Sequence, residues 1–252
     1  MKLNALTTAV AAGAFVFASA SNAAISYSND FEGYDAATTT TLGDDGWLVG
    51  ANVFDSGGGF VYNYFAFPAP NDGGAFSGVA VGEGGANQGA QQLNTFSDYN
   101  NANHFDGSGF QIEANLFRDI GIIGAGDIGT TVDFSFDGKL GNLAAPTTAA
   151  AFIKVIKTSD GSFATLGSTF LDTTTLTGAW SEGVTLSLAL GDAAFAGETL
   201  QIGFISVASG GNPSGVFYDN INVNNGTAAV PVPAAAWLFG SALAGLMAAR
   251  RK

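Results

Sequence analysis

The sequence predicts an all-β protein, an antiparallel two-sheet jelly-roll-like sandwich over residues 25–227. Three observations predict it. Apolar residues recur at every second position in several stretches, the period of a half-buried strand. Tight-turn dipeptides separate those stretches. The composition is rich in Gly (36 of 252) and Phe (21) and only 12% charged, which suits many short strands joined by tight turns.

Taken in order, residues 1–24 predict a secretory signal peptide with its own helix, outside the fold. Lys2 supplies the positive start and Leu6–Ala18 the apolar stretch. Ala18-Ser19-Ala20 and Asn22-Ala23-Ala24 supply small residues for cleavage by signal peptidase. In the body, Phe110, Ile112, Ala114 and Leu116 alternate with Gln111, Glu113 and Asn115. Val132, Phe134 and Phe136 alternate with Asp133 and Ser135. Val184, Leu186, Leu188 and Leu190 alternate with Thr185, Ser187 and Ala189, and Leu200, Ile202 and Phe204 continue the pattern. Each set turns one face of a strand to the core. Turns are expected at Asp137-Gly138, Ser159-Asp160-Gly161, Gly178 and Gly210-Gly211-Asn212-Pro213. The Gly-rich stretch from Ser56 to Gly89 reads as long surface loops carrying Phe60, Tyr62, Tyr64, Phe65 and Phe67, and residues 94–107 as a second polar loop. No helix is expected in the body, and no fixed-period repeat supports a solenoid or propeller.

The chain closes with Val230-Pro231-Val232-Pro233, the apolar run Ala234–Ala249 and the basic end Arg250-Arg251-Lys252. The run's 16 residues, at ~1.5 Å each, give a transmembrane-type helix of about 24 Å against a hydrocarbon core of ~30 Å. Pro233 stands where a missing N–H costs nothing, and the basic end would stay cytoplasmic. This order of Pro motif, apolar helix and basic cluster resembles the PEP-CTERM sorting signal, also called the ice-binding protein C-terminal domain. The sequence departs from the motif at Val232, where the motif has Glu. The resemblance implies that residues 230–252 are recognised by an exosortase-type membrane peptidase. The body would then be released or attached at the cell surface, often in bacteria that make exopolysaccharide. The other reading is an ordinary retained membrane anchor. Ice binding does not follow from the tail's label, because Thr38–Thr41 and Thr173–Thr175 are isolated rather than parts of regular Thr-x-Thr rows.

Charge narrows the partners. The net charge is -13, and Lys2, Arg250, Arg251 and Lys252 lie in the terminal segments. The body therefore sets four basic residues, Arg118, Lys139, Lys154 and Lys157, against all 21 acidic ones, a net charge of -17. Such a surface repels phosphate backbones, which excludes nucleic acid as a partner and favours divalent cations or neutral glycans. Cysteine is absent, so disulfides, thiol catalysis and cysteine metal sites are excluded. His104 is the one histidine and reads as a solvated loop side chain. There is no zinc cluster, no Gly-x-Ser-x-Gly elbow and no phosphate- or dinucleotide-binding fingerprint. The body is therefore expected to be non-catalytic. A glycosidase needs only two carboxylates, and 21 acids leave that reading open without marking a pair.

The start of the body, Ser28-Asn29-Asp30-Phe31-Glu32-Gly33, and its end, Gly215-Val216-Phe217-Tyr218-Asp219-Asn220, resemble two strands that lie side by side in jelly-roll carbohydrate-binding modules. The resemblance implies a structural Ca²⁺ held by Glu32 and Asp219, with Asp30 as a third ligand and backbone carbonyls assisting. Ca²⁺ takes six to eight oxygens, and chain-distant carboxylates repel each other without it. The alternative is that these are solvated strand-end charges. Trp47, Tyr62, Tyr64, Tyr99 and Trp180 are candidates to stack on sugar faces, although a sandwich can equally bury each of them. Trp47, after Asp44-Asp45-Gly46, resembles an early Gly-Trp of those modules that is more often core packing there. The expected function is an exported cell-surface or matrix protein whose body binds extracellular polysaccharide. The alternatives are a structural envelope or biofilm component without a discrete ligand, and a glycan-active hydrolase.

Overall fold

The computed structural model describes residues 25–38, 40–66, 77–104 and 107–226. The expected signal peptide, apolar tail and sorting motif lie outside the described residues. Twelve strands follow one another: β1 Ser26–Asn29, β2 Trp47–Phe54, β3 Phe60–Ala66, β4 Gly78–Val81, β5 Gln91–Thr95, β6 Gln111–Ile122, β7 Thr131–Leu143, β8 Thr148–Ile156, β9 Thr165–Asp172, β10 Ser181–Ala189, β11 Thr199–Ser209 and β12 Ser214–Asn225. Helix among the described residues is limited to the single turn Thr41–Asp44 and two short 3₁₀ turns, and none is long and apolar enough to cross a membrane.

The strands form two six-stranded antiparallel sheets. One has the order β10-β7-β12-β5-β4, with β1 also paired to β12; the other has the order β3-β2-β6-β11-β8-β9. The expected sandwich is the observed fold. The first and last strands of the body, β1 and β12, pair as the resemblance implied, with Asn29 opposite Ile221 and Ser26 opposite Asn224.

Period two explains the core. Ile112, Ala114 and Leu116 of β6, Val132, Phe134 and Phe136 of β7, and Leu200, Ile202 and Phe204 of β11 are all buried. Phe204 joins the layers. Its ring stacks on Tyr218 of the other sheet with centroids 3.7 Å apart, and it meets Phe134 at 5.5 Å and Phe136 at 5.3 Å. On its own sheet it stacks on Trp47 at 6.5 Å. Burying each such ring contributes roughly 1.5–3 kcal/mol.

Three local expectations are corrected. Asp137-Gly138 is no turn, because β7 continues through it to Leu143. Gly138 pairs with Tyr218 on one side and Ser181 on the other, and a Cβ there would come within 2.9 Å of Leu176. Packing between neighbours, not backbone freedom, places glycine at that position. The Ser56–Gly89 stretch also contains β3 and β4.

The third correction concerns the second polar loop, where Ser97, Asp98 and His104 are buried. His104 is buried rather than solvated, with Nε2 3.2 Å from Ser97 Oγ, and Ser97 Oγ donates to Ile112 O at 3.1 Å. Burial pushes the imidazole's pKa down, against the opposing effects of the Ala208 backbone and Asp98. Tyr99 pins the loop by donating to Asn212 O at 2.8 Å. A Ser–His pair at this depth is a structural clasp, not a nucleophile.

Candidate functional site

The outer face of the second sheet carries a groove of about 450 Å³. Its residues are those out of phase with the core set. The pairing register puts Leu48, Phe117, Gly203, Phe152 and Phe170 in one rank across β2, β6, β11, β8 and β9. The next rank runs Phe65, Gly50 and Asn115, and the next Asn63, Asn52 and Glu113. Two glycines deepen this face. A Cβ on Gly50 would lie 3.3 Å from the Phe65 ring, and one on Gly203 would lie 2.6 Å from Phe152 Cζ and 2.3 Å from Leu116 O. The absent side chains let those two rings lie down onto the sheet.

Phe65 and Phe163 stand at opposite margins of the groove and are 77% and 69% exposed. Phe163 sits in the β8–β9 turn with φ of 53°. The left-handed region costs a bulky residue roughly 1–2 kcal/mol. At this exposure, burial does not offset that cost, so the turn holds an aromatic ring in solvent at the rim of a groove. Strain of that kind concentrates at binding sites.

Between the rims the floor is polar. Glu113 Oε1 accepts from Asn52 Nδ2 and Asn115 Nδ2, both at 2.9 Å, which fixes the carboxylate against the sheet. Gln201 Nε2 donates to Asp119 Oδ1 at 3.0 Å. Lys154 Nζ lies 4.0 Å from the centre of the Phe152 ring. Burial lowers the ammonium pKa, and the Glu113 charge opposes that shift. Rings with apolar faces beside fixed amide, carboxylate and ammonium groups are what polyhydroxylated ligands require.

A second constellation lies in the first sheet, where β1 leaves β12. Asp219 is fully buried and faces Asp137 on the adjacent strand. Asp137 is well served: Oδ2 accepts from Gln88 Nε2 and Asn220 Nδ2, and Oδ1 from Gly183 N, all at 2.8 Å. Asp219 Oδ1 accepts from Asn220 N at 2.6 Å, while its buried Oδ2 has no hydrogen-bond partner. Burial is the main cause that pushes the Asp219 carboxyl up to about 7. The Asn220 N–H opposes this shift, and the charges of Asp137, Glu32 and Asp30 add to it. Glu32 Oε1 accepts from Ala90 N and Gln91 N, each at 2.7 Å. Gly89 is needed over that contact, since its φ is +58° and a Cβ would meet Glu32 Oε1. Asp30 Oδ1 accepts from Glu32 N at 3.2 Å. Among the described residues no three acidic or histidine side chains converge into a metal cluster. Asp219 Oδ2 is the orphaned oxygen of this constellation, and Glu32, whose charge reaches it, has Oε1 turned to the Ala90 and Gln91 N–H groups.

The aromatic candidates fare differently. Trp47 is fully buried, stacked on Phe204 and donating to Tyr27 OH at 3.1 Å, so it has no face for a ligand and belongs to the core. Tyr99 is half-buried and engaged with Asn212. Trp180 is half-buried, its Nε1 donating to Glu83 O at 3.1 Å. Tyr62 and Tyr64 lie 6.0 Å apart, and of the five only Tyr64 borders the groove. Its hydroxyl donates to Asp98 Oδ2 at 2.6 Å, and burial with the Asp98 carboxylate raises its pKa. The groove's exposed rings are phenylalanines instead. Two signals mark them in the sequence: Phe117 falls on the polar face set by Glu113 and Asn115, and Phe163 sits inside a turn.

Fold and site define a class: an antiparallel β-sandwich with an aromatic-rimmed, polar-floored groove on one sheet and a tied carboxylate pair where its ends meet. Comparison with family models and with curated proteins gave no match. Solved structures similar to this chain include an apo-form cyclase from Fischerella sp., 15% identical with a TM-score of 0.44, over 81% of this chain and 98% of that one. The CBM22-1–CBM22-2 tandem of Paenibacillus barcinonensis Xyn10C is 17% identical with a TM-score of 0.44, over 86% of this chain and 50% of that one. A structure of carbohydrate-binding modules from the β-sandwich superfamily is 18% identical with a TM-score of 0.37, over 71% of this chain and 74% of that one. Carbohydrate-binding modules are thus among the chains it resembles. At such TM-scores, the ground for its function is its own groove and carboxylates.

Proposed function

We propose that this chain is a non-catalytic, polysaccharide-binding surface or matrix protein whose ligand lies in the groove of the second sheet. One observation carries the reading: Phe163, strained and exposed, and the exposed Phe65 line one groove with Glu113, which two amides hold. Sugar rings would stack on the phenylalanines, and their hydroxyls would bond to Asn52, Glu113, Asn115 and Gln201. A hydrolase has less support. It needs a raised-pKa acid beside a second carboxylate in a cleft, and Asp219 stands in the other sheet.

A structural Ca²⁺ belongs to the proposal. Glu32 and Asp219 would hold it, with Asp30 near, and the ion would supply the positive charge that an acidic strand junction lacks. Export and sorting through residues 230–252 complete it, supported by the terminal segments alone. The native mature protein is expected to be lighter by both segments; an intact mass retaining them would sink that part.

The groove is tested by affinity electrophoresis through soluble plant and bacterial polysaccharides. Phe65→Ala combined with Phe163→Ala removes two stacking faces, each worth about 0.5–1.5 kcal/mol, and is expected to weaken binding about tenfold with the fold intact. Equal retardation of wild type and the double variant on every polymer would refute the site.

A further inference from the structure

The groove holds an ammonium, Lys154, that makes no direct ion pair among the described residues. Three of the body's four basic side chains are paired with carboxylates: Arg118 with Asp45 at 3.2 Å, Lys139 with Glu83 at 2.9 Å and Lys157 with Asp160 at 2.7 Å. Among the described residues Lys154 has no carboxylate within 4.0 Å, in a body where acids outnumber bases 21 to four. Instead its Nζ rests over two rings, Phe152 at 4.0 Å and Phe170 at 5.6 Å. Glu113, whose charge reaches it, is turned to Asn52 and Asn115. A half-buried ammonium in a ligand groove, resting over two rings and without a carboxylate in direct contact, can receive an anionic group.

Resting on the groove reading, we infer that the ligand is an acidic polysaccharide and that Lys154 pairs with a uronic acid carboxylate. Phe65 and Phe163 then hold the sugar faces, and Lys154 selects the charged sugar. A local pair between Lys154 and one carboxylate survives at 0.15 M salt, where the screening length is ~8 Å and the acids outside the groove fade, leaving Glu113 and Asp119 as the opposing charges nearby.

The test uses the purified full body with polygalacturonate, alginate and glucuronoxylan, each beside its own carboxyl-reduced form, at 0.15 M salt. At least one acidic polymer is expected to bind about tenfold tighter than its reduced form. Lys154→Gln is expected to abolish that difference, so that acidic and reduced forms bind alike, and Lys154→Arg to keep the preference. Melting curves report whether each variant is folded. Equal binding of acidic and reduced forms, or a preference that persists in Lys154→Gln, overturns the inference while leaving the groove in place. Binding to all six polymers that ignores Phe65→Ala with Phe163→Ala removes the groove reading and this inference with it.

Discussion

Protein stripped of metal and then given millimolar Ca²⁺ is expected to melt about 5–10 °C higher, and the gain is expected to disappear in Glu32→Ala and in Asp219→Ala. The size follows from linkage. A ligand at a hundredfold its Kd stabilises by ~2.7 kcal/mol, and each kcal/mol moves the melting point of a domain this large by ~2–4 °C. The two sites should differ before any metal is added, as Glu32→Ala and a further variant, Asp219→Asn, would show. Glu32→Ala leaves the exposed N–H groups of Ala90 and Gln91 to water and should cost about 0.5–1.5 kcal/mol. Asp219→Asn removes an acid that faces Asp137 in a buried strand pair, and should leave the metal-free protein as stable or more so. Scanning calorimetry with chelator and with Ca²⁺ separates these effects. Identical wild-type melting in the two conditions would show that the carboxylates are a plain strand-end clasp.

Phe204→Ala is expected to destabilise the body by about 4 kcal/mol, lowering its melting point by roughly 8–16 °C. The ring bridges the sheets, so its loss opens a cavity against Tyr218, Phe134, Phe136 and Trp47 together. No neighbour can collapse into the gap without leaving its own sheet. Phe163→Ala, the same change at an exposed rim, should shift stability by under about 0.5 kcal/mol. Urea titration of the pair checks both, and comparable losses at the two positions would contradict this account of the core.

Phe163 and Phe204 are equally apolar, yet one stands in solvent and the other seals the core. Sequence reading placed only Phe204, because period two is a local property of a strand and Phe163 lies in a turn. It assigned Phe204 inward with Ile202 and Leu200, and it put Glu113 and Asn115 outward. The adjacency of the body's first and last strands came from the resemblance of Ser28–Gly33 and Gly215–Asn220 to jelly-roll modules, not from alternation.

By itself, then, the sequence determined that a two-sheet antiparallel fold results, which face of β6, β7, β10 and β11 turns inward, and that a cysteine-free body has no thiol chemistry. Tertiary structure decided the rest. The groove unites Leu48, Phe65, Phe117, Lys154 and Phe163 from distant stretches, and only the order β3-β2-β6-β11-β8 makes them neighbours. Gly138 and His104 were misplaced for the same reason. A turn dipeptide can be overridden by two flanking strands, and a polar loop can be drawn inward by partners such as Ile112 and Asn212 that lie elsewhere in the chain. Alternation fixes sides within a strand, whereas a binding surface depends on pairing between strands, which is set by long-range packing that no local pattern encodes.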